Sequence, residues 1–147
     1  MMRISTKGRY GARLMLELAL YYGKGPVSLK DIAKREEISE GYLEHLLPSL
    51  KAAGLVNSSR GAHGGYTLAK TPSKITLREV VQALEGPLSP AECVHTPNVC
   101  QRVRFCVTRD IWKKLGEKIS QTLESVTLKD MVEMQKNKGE TSLIYNI

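Results

Sequence analysis

Four leucines, Leu43, Leu46, Leu47 and Leu50, recur at steps of three and four between Ser39, a strong N-cap, and Gly54, a helix-ending glycine. A helix from Glu40 to Ala53 therefore has one face that must be buried. The opposite edge, Gly41, Glu44, His45 and Pro48 with Tyr42 at the border, must then point outward. Before it, Ser28-Leu29-Lys30-Asp31 has the form of a capping box and opens a short helix to about Glu36. After it, residues 55–68 set two short apolar ends around a glycine-rich middle, Arg60-Gly61-Ala62-His63-Gly64-Gly65. That is the pattern of a β-hairpin with a long flexible tip. Two helices joined by a tight turn and followed by a hairpin make a winged helix-turn-helix, whose second helix enters the major groove. Pro48 is a local conflict, because a helix-interior proline removes a hydrogen bond, and either a kink or a stretch without a tight i→i−4 bond is expected there.

The rest of the chain reads as mainly α. A first helix starts at Ser5 or Thr6 and runs to Tyr22, ended by Gly23, Gly25 and Pro26. Thr76-Leu77-Arg78-Glu79 is a full capping box for a helix that Gly86-Pro87 stops. Residues 88–106 read as irregular. From about Thr108 to Glu124, Ile111, Leu115, Ile119 and Leu123 fall at steps of four with Trp112 beside them. This long helix is the candidate dimer interface, and Gly116 would let a partner helix come close. Thr127 caps a last short helix, and about ten final residues read as a loosely held tail. The expected organisation is a winged helix-turn-helix domain over 1–86, a cysteine-containing loop over 87–107, dimerisation and C-terminal helices over 108–135, and a tail over 136–147.

Charge points to the partner. The net charge is +7, and residues 1–80 carry 13 Lys and Arg against 7 Asp and Glu, so nearly all the excess lies in the first half. Such a basic half suits a polyanion, either nucleic acid or an anionic membrane surface. No run approaches the roughly 18 apolar residues that cross a bilayer, and the N-terminus has no signal-peptide stretch. A cytoplasmic protein without a membrane is expected. No nucleotide loop, catalytic triad or zinc-protease motif appears, so neither an enzyme nor a small-molecule substrate is expected.

On the outward helix edge, Glu44 is informative. A carboxylate is repelled by phosphates but can accept a hydrogen bond from a cytosine amino group, which favours base reading over mere affinity. Ser39, Gly41, Tyr42 and His45 share that edge or its start. Arg60 on a thin wing suits a narrow minor groove, and Gly64 and Gly65 would bring backbone amides near phosphates. Lys7, Arg9, Lys30 and Lys34 are candidate phosphate contacts, each also readable as plain surface charge. A module of this size binds as a two-fold dimer on a palindromic operator of double-stranded DNA.

Cys93, Cys100 and Cys106 all lie within 14 residues of an otherwise cysteine-free chain. Three readings are open: a metal or cluster site, a thiol redox switch, or free thiols without function. The spacing is wider than in zinc fingers, thiolates are the normal ligands of iron–sulfur clusters, and Arg102, Arg104 and Arg109 would offset a cluster's charge.

From about residue 2 to residue 132 the sequence resembles the IscR-type iron–sulfur cluster transcription regulators of bacteria. The resemblance is carried by Arg3-Ile4-Ser5-Thr6-Lys7-Gly8-Arg9-Tyr10, by Ile38-Ser39-Glu40-Gly41-Tyr42-Leu43-Glu44, by Gly54-Leu55-Val56, by the wing Arg60-Gly61-Ala62-His63-Gly64-Gly65-Tyr66, and by the cysteine loop. The N-terminal part is also similar to the cluster-free CymR type, regulators of cysteine metabolism. The resemblance implies a homodimeric repressor or activator that reads DNA with Glu44 and Arg60, dimerises through the helix at 108–126 and holds a cluster at Cys93, Cys100 and Cys106. By analogy a 2Fe–2S cluster is favoured over 4Fe–4S. A serine that often contacts bases in such proteins is Gly41 here. The first cysteine interval is one residue longer than the family's, and the histidine that completes a 2Fe–2S site three residues after the last cysteine is Arg109. No acid occurs in residues 1–16, so a partner-chain N-terminal aspartate is absent too. His95, Asp110, an external molecule or another partner-chain residue are the candidates for a fourth ligand. The alternative function is a cluster-free repressor of sulfur metabolism working through thiol oxidation or a bound partner.

Overall fold

The computed structural model of the chain describes residues 2–145, with side chains as far as residue 139. Seven helices and one two-stranded antiparallel sheet follow in the order α1 (Thr6–Leu20), α2 (Leu29–Glu36), α3 (Glu40–Ala52), β1 (Val56–Ser59), β2 (Gly65–Leu68), α4 (Leu77–Glu85), α5 (Glu92–His95), α6 (Val107–Glu124) and α7 (Leu128–Tyr145). Short 3-10 turns at Pro72–Lys74 and Pro97–Val99 join them.

Hydroxyl N-caps start the helices where the sequence places them. Ser5, Ser28, Ser39 and Thr76 each accept the N–H three residues on, satisfying an orphan donor of the first turn. Thr127 and Asp130 cap α7 reciprocally: the Thr127 hydroxyl accepts from the Asp130 N–H, and the Asp130 carboxylate accepts from the Thr127 N–H at 2.9 Å. Those bonds hold the Asp130 carboxyl below its usual range, the backbone N–H of Thr127 contributing most. Its folded value is depressed, so its contribution to stability is full above the ordinary carboxylate range and fades as pH falls through the folded value. Asp130→Asn should therefore flatten the acid limb of the stability–pH curve; identical acid limbs for the two proteins would contradict this.

One core binds α1, α2, α3, α4 and the start of α7 together. Leu14, Met15 and Leu18 of α1, Ile32 of α2, and Leu43, Leu46 and Leu50 of α3 are all shut off from solvent. Ile75, Val80 and Leu128 close the same core, so the start of α7 belongs to it. The α4 and α7 starts are stitched together, Leu77 N–H donating to the Val126 carbonyl at 2.8 Å and Leu128 N–H to the Ile75 carbonyl at 2.9 Å. At the other end of α4, the Glu85 carboxylate accepts from the Ser5 N–H, beside Gly8, where a Cβ would collide with it.

The hairpin has the register Val56↔Leu68 to Ser59↔Gly65, leaving Arg60–Gly64 as its tip. It is not isolated. Val27 and Tyr66 exchange two backbone hydrogen bonds of 2.9 Å, which ties the wing to the segment entering α2. Gly65 is required there, since a Cβ would meet the Val27 backbone.

Helix α3 continues through Pro48, which lies on the exposed side where its ring meets no core, and its cost is the missing N–H bond to the Glu44 carbonyl, the expected alternative to a kink. Three expectations are corrected. Residues 88–106 are not wholly irregular, because α5 and the Pro97–Val99 turn lie within them. Helix α7 is long rather than short and runs through most of the stretch read as a tail, carried by good helix formers such as Glu133, Met134, Gln135 and Lys136. Residues 146 and 147 of that stretch lie outside the described residues. Finally, Gly116 does not face a partner: it is buried against the chain's own Leu88 and Pro90, with the Pro90 Cδ about 3.1 Å from where a Cβ would stand.

Candidate nucleic-acid interface and cysteine loop

The geometry of α3 follows from its leucines. With Leu43, Leu46, Leu47 and Leu50 buried, Gly41, Glu44, His45 and Pro48 are exposed, as is the cap residue Ser39. Tyr42 is half-buried at the border, edge-on to Tyr10 of α1 with ring centroids 5.7 Å apart, and His45 lies next to it at 6.5 Å. Arg9 and Arg13 both stand over the Tyr10 ring, at 5.8 and 5.3 Å. Arg9 is thus brought towards the start of α3 through Tyr10. Lys7 and Lys30 are exposed on α1 and α2, and Lys7 borders a shallow hollow with Arg3, Ser5, Leu84 and Glu85.

Arg60 is exposed at the wing tip. The two glycines beyond it serve the wing itself. The Gly64 N–H donates to the Gly61 carbonyl at 3.0 Å, so it is not a free donor for a phosphate, and Gly65 is half-buried against Val27.

Residues that the sequence reading missed hold the reading helices in place. Glu17 of α1 is 7 % exposed and receives the Arg35 guanidinium of α2 through two nitrogens at 3.0 Å. Burial pulls the Arg35 pKa down, and the Glu17 hydrogen bond and charge more than reverse it, leaving it raised. Arg13 reaches the other side of α2, bonding the Glu36 carbonyl and lying 3.5 Å from its carboxylate. A charge among the leucines of α1 is a legible sign that a partner exists; which residue it is depends on the helix crossing.

The three cysteines sit at segment ends. Cys93 is half-buried in α5, Cys100 is exposed after the Pro97–Val99 turn, and Cys106 is half-buried as the N-cap of α6; all are free thiols. Among the described residues no three His, Cys, Asp or Glu side chains converge as metal ligands. His95 and Asp110 are exposed. Arg109 is a tether: its Nε donates to the Cys93 carbonyl at 3.1 Å and pins α5 to α6. The Cys106 thiol is held below the ordinary thiol value, mainly by the Thr108 hydroxyl 3.2 Å away, then by the Arg109 and Thr108 backbone N–H groups and the charge of Arg102. In metal-free protein, Cys106 should consume iodoacetamide about threefold faster than the more exposed Cys100 near neutral pH, as followed by mass spectrometry. Equal rates would show that the helix N-terminus does not activate it.

Helix α6 carries an apolar ridge that its own chain leaves open. Val107, Ile111 and Trp112 are exposed, with Phe105 just before them at 84 %. The ridge continues as Ile119 and Leu123 into a groove of about 560 Å³ walled by Ile4, Val81, Leu88 and Pro90. Among the described residues no helix is long and apolar enough to cross a membrane.

The chain is similar to known transcription regulators. A family model described as an iron-dependent transcriptional regulator, Rrf2, matches residues 4–134. The HTH-type transcriptional regulator CymR of Bacillus subtilis is 41 % identical over 144 residues, 98 % of this chain and 99 % of that protein. The similarity to CymR therefore extends beyond the N-terminal part. The HTH-type transcriptional regulator IscR of Photorhabdus laumondii is 39 % identical over 135 residues, 92 % of this chain and 82 % of that one. Among solved structures, CymR of B. subtilis superposes with a TM-score of 0.76 at 42 % identity, covering 91 % of this chain and 98 % of that one, and IscR of T. potens with 0.75 at 42 %, covering 91 % and 88 %. With a winged helix-turn-helix, an outward polar edge on its second helix and relatives alike over nearly their whole length, the chain belongs to the Rrf2 family of transcription regulators.

Proposed function

We propose that the protein is a homodimeric, sequence-specific regulator that grips a palindromic operator with α3 and the wing of each subunit, and that the three-cysteine loop is its sensor. The observation that carries the reading is the division of α3 into a fully buried leucine face and an exposed edge of Gly41, Glu44 and His45, with exposed Arg60 on the adjoining hairpin. Glu44 selects a cytosine, Arg60 enters the minor groove, and Ser39, Tyr42, Lys7, Arg9 and Lys30 position the duplex. Gly64 and Gly65 shape the wing that carries Arg60.

Dimerisation is supported by the open ridge of α6, since Phe105, Val107, Ile111 and Trp112 are exposed close together in the chain, and clustered apolar exposure marks an interaction surface. The donor chemistry of the loop suits an iron–sulfur cluster, with a 2Fe–2S cluster preferred: Cys93, Cys100 and Cys106 would hold it, and the thiol of Cys106 is already inclined to ionise. Because the three thiols do not converge among the described residues, holding a cluster would require the loop to draw them together. When bound, a cluster supplies a redox- and iron-sensitive link between those segments. A fourth ligand has to come from elsewhere than Arg109, whose guanidinium is charged and engaged.

A second reading, favoured by the activated Cys106 and the scattered thiols, is a cluster-free regulator switched by thiol oxidation. Anaerobic purification separates the two. Visible absorption with bound iron supports the cluster; colourless protein after reconstitution, whose DNA binding changes on disulfide formation, supports the thiol switch.

DNA reading is tested by selecting bound sequences from a randomised pool. Glu44→Ala is expected to broaden the preference at one base pair per half-site while overall affinity changes little. Arg60→Ala is expected to weaken binding by about tenfold. A Glu44→Ala protein with an unaltered selected motif would show that α3 reads with a different edge.

A further inference from the structure

Gly41 is a glycine that the fold does not need. It lies in the first turn of α3 with an ordinary φ, and a Cβ built on it would meet nothing within 4 Å. Alanine or serine would favour the helix more, because glycine loses most freedom on becoming helical. Other glycines among the described residues are explained by left-handed backbone or by an atom pressed against their Cα, as at Gly8 and Gly65. Gly139 shares the open surroundings of Gly41, but it stands in α7, outside the helix-turn-helix and its wing. At Gly41 the empty space has an address: the residue shares the exposed edge with Glu44 and His45, three and four positions on.

We infer that Gly41 is a specificity-determining residue that works by absence, leaving room for the C5-methyl of a thymine in the base pair beside the one that Glu44 reads. This rests on the DNA-reading assignment made above. A phosphate is the poorer occupant, because the carboxylates of Glu40 and Glu44 on either side in sequence oppose the pull of the α3 N-terminus on an anion. A base edge that needs a hydrogen bond is also poorly served, since glycine has no side-chain donor or acceptor. The thymine methyl is the apolar feature of the major groove, and it asks only for close approach to an apolar surface, here the bare Cα. The N-terminal residues of a recognition helix are those that come nearest to base edges.

The test uses full-length wild-type protein, Gly41→Ala and Gly41→Ser, with a sequence selected by the wild type. Replacing each thymine in turn by deoxyuridine removes the methyl alone. Wild-type binding should fall about fourfold at one symmetry-related pair of thymines. Gly41→Ala should bind the same site about tenfold more weakly and lose its sensitivity to that methyl, while its melting temperature stays equal or rises. Unchanged affinity of Gly41→Ala, or tolerance of uracil at every position, would overturn the inference while leaving DNA reading intact. Lower melting temperatures for both variants would also overturn it, by contradicting the open space. If the wild type enriches no sequence at all, the regulator reading itself fails first.

Discussion

Ile111→Asp should split the proposed dimer into folded monomers and reduce operator affinity by about a hundredfold or more. The side chain is half exposed in the single chain, so a carboxylate there costs the subunit almost nothing. In a two-fold assembly the same change acts twice, placing two facing carboxylates in an apolar seam where neither is paired. A monomer then meets the operator with one α3 and one wing, and loses the gain from linking two half-sites. Sedimentation should report half the mass, circular dichroism an unchanged helix content, and titration of operator DNA the lost affinity. An Ile111→Asp protein that still sediments as a dimer and binds as before would place the subunit contact elsewhere than on α6.

Arg35→Ala should lower stability by about 2–3 kcal/mol, or roughly 6–9 °C in melting temperature. Removing Arg35 leaves the Glu17 carboxylate, 7 % exposed, without its two guanidinium donors. The figure sits below that for a fully buried pair because the Arg35 side chain keeps 37 % of its surface in water. Replacing both partners, as in Glu17→Leu with Arg35→Leu, should recover most of the loss, since the cost lies in the stranded charge rather than in the missing attraction. Thermal melts of the two variants beside the wild type decide it: equal melting temperatures for the single and double variants would mean that the pair packs as carbon rather than as charge.

The helices were legible because their signals are local. A hydroxyl at Ser39 or Thr76 and a leucine every third or fourth residue are properties of a dozen neighbours in the chain, and α3 and α4 begin where those residues put them. The outward edge of α3 was legible for the same reason, as the complement of its leucines. The extent of α7 was not, because beyond Met134 no apolar stripe marks a face and only intrinsic preference extends the helix. The Glu17–Arg35 pair and the Tyr10–Tyr42 contact escaped because they depend on how α1 crosses α2 and α3, which spacing within one helix does not encode. Cysteine spacing likewise bounds how near the three thiols come, while α5, the turn and the α6 N-terminus decide where each points.

The burial of Gly116 has a mechanical consequence. It stands midway along α6, pressed on Leu88 and Pro90, and the far end of the helix is fastened by the Val126 and Leu128 backbone bonds to the start of α4. The ten residues from Val107 to Gly116 have a lighter support of their own, the Arg109 bond to the Cys93 carbonyl that pins α5 to them. Force applied at Cys106 is shared between that α5 tether and Gly116, whose contacts are with the stretch of chain leaving α4. A small pull at the thiol end would be felt there as torque, on the doorstep of the helix that holds Ser5 and the start of α1 in place.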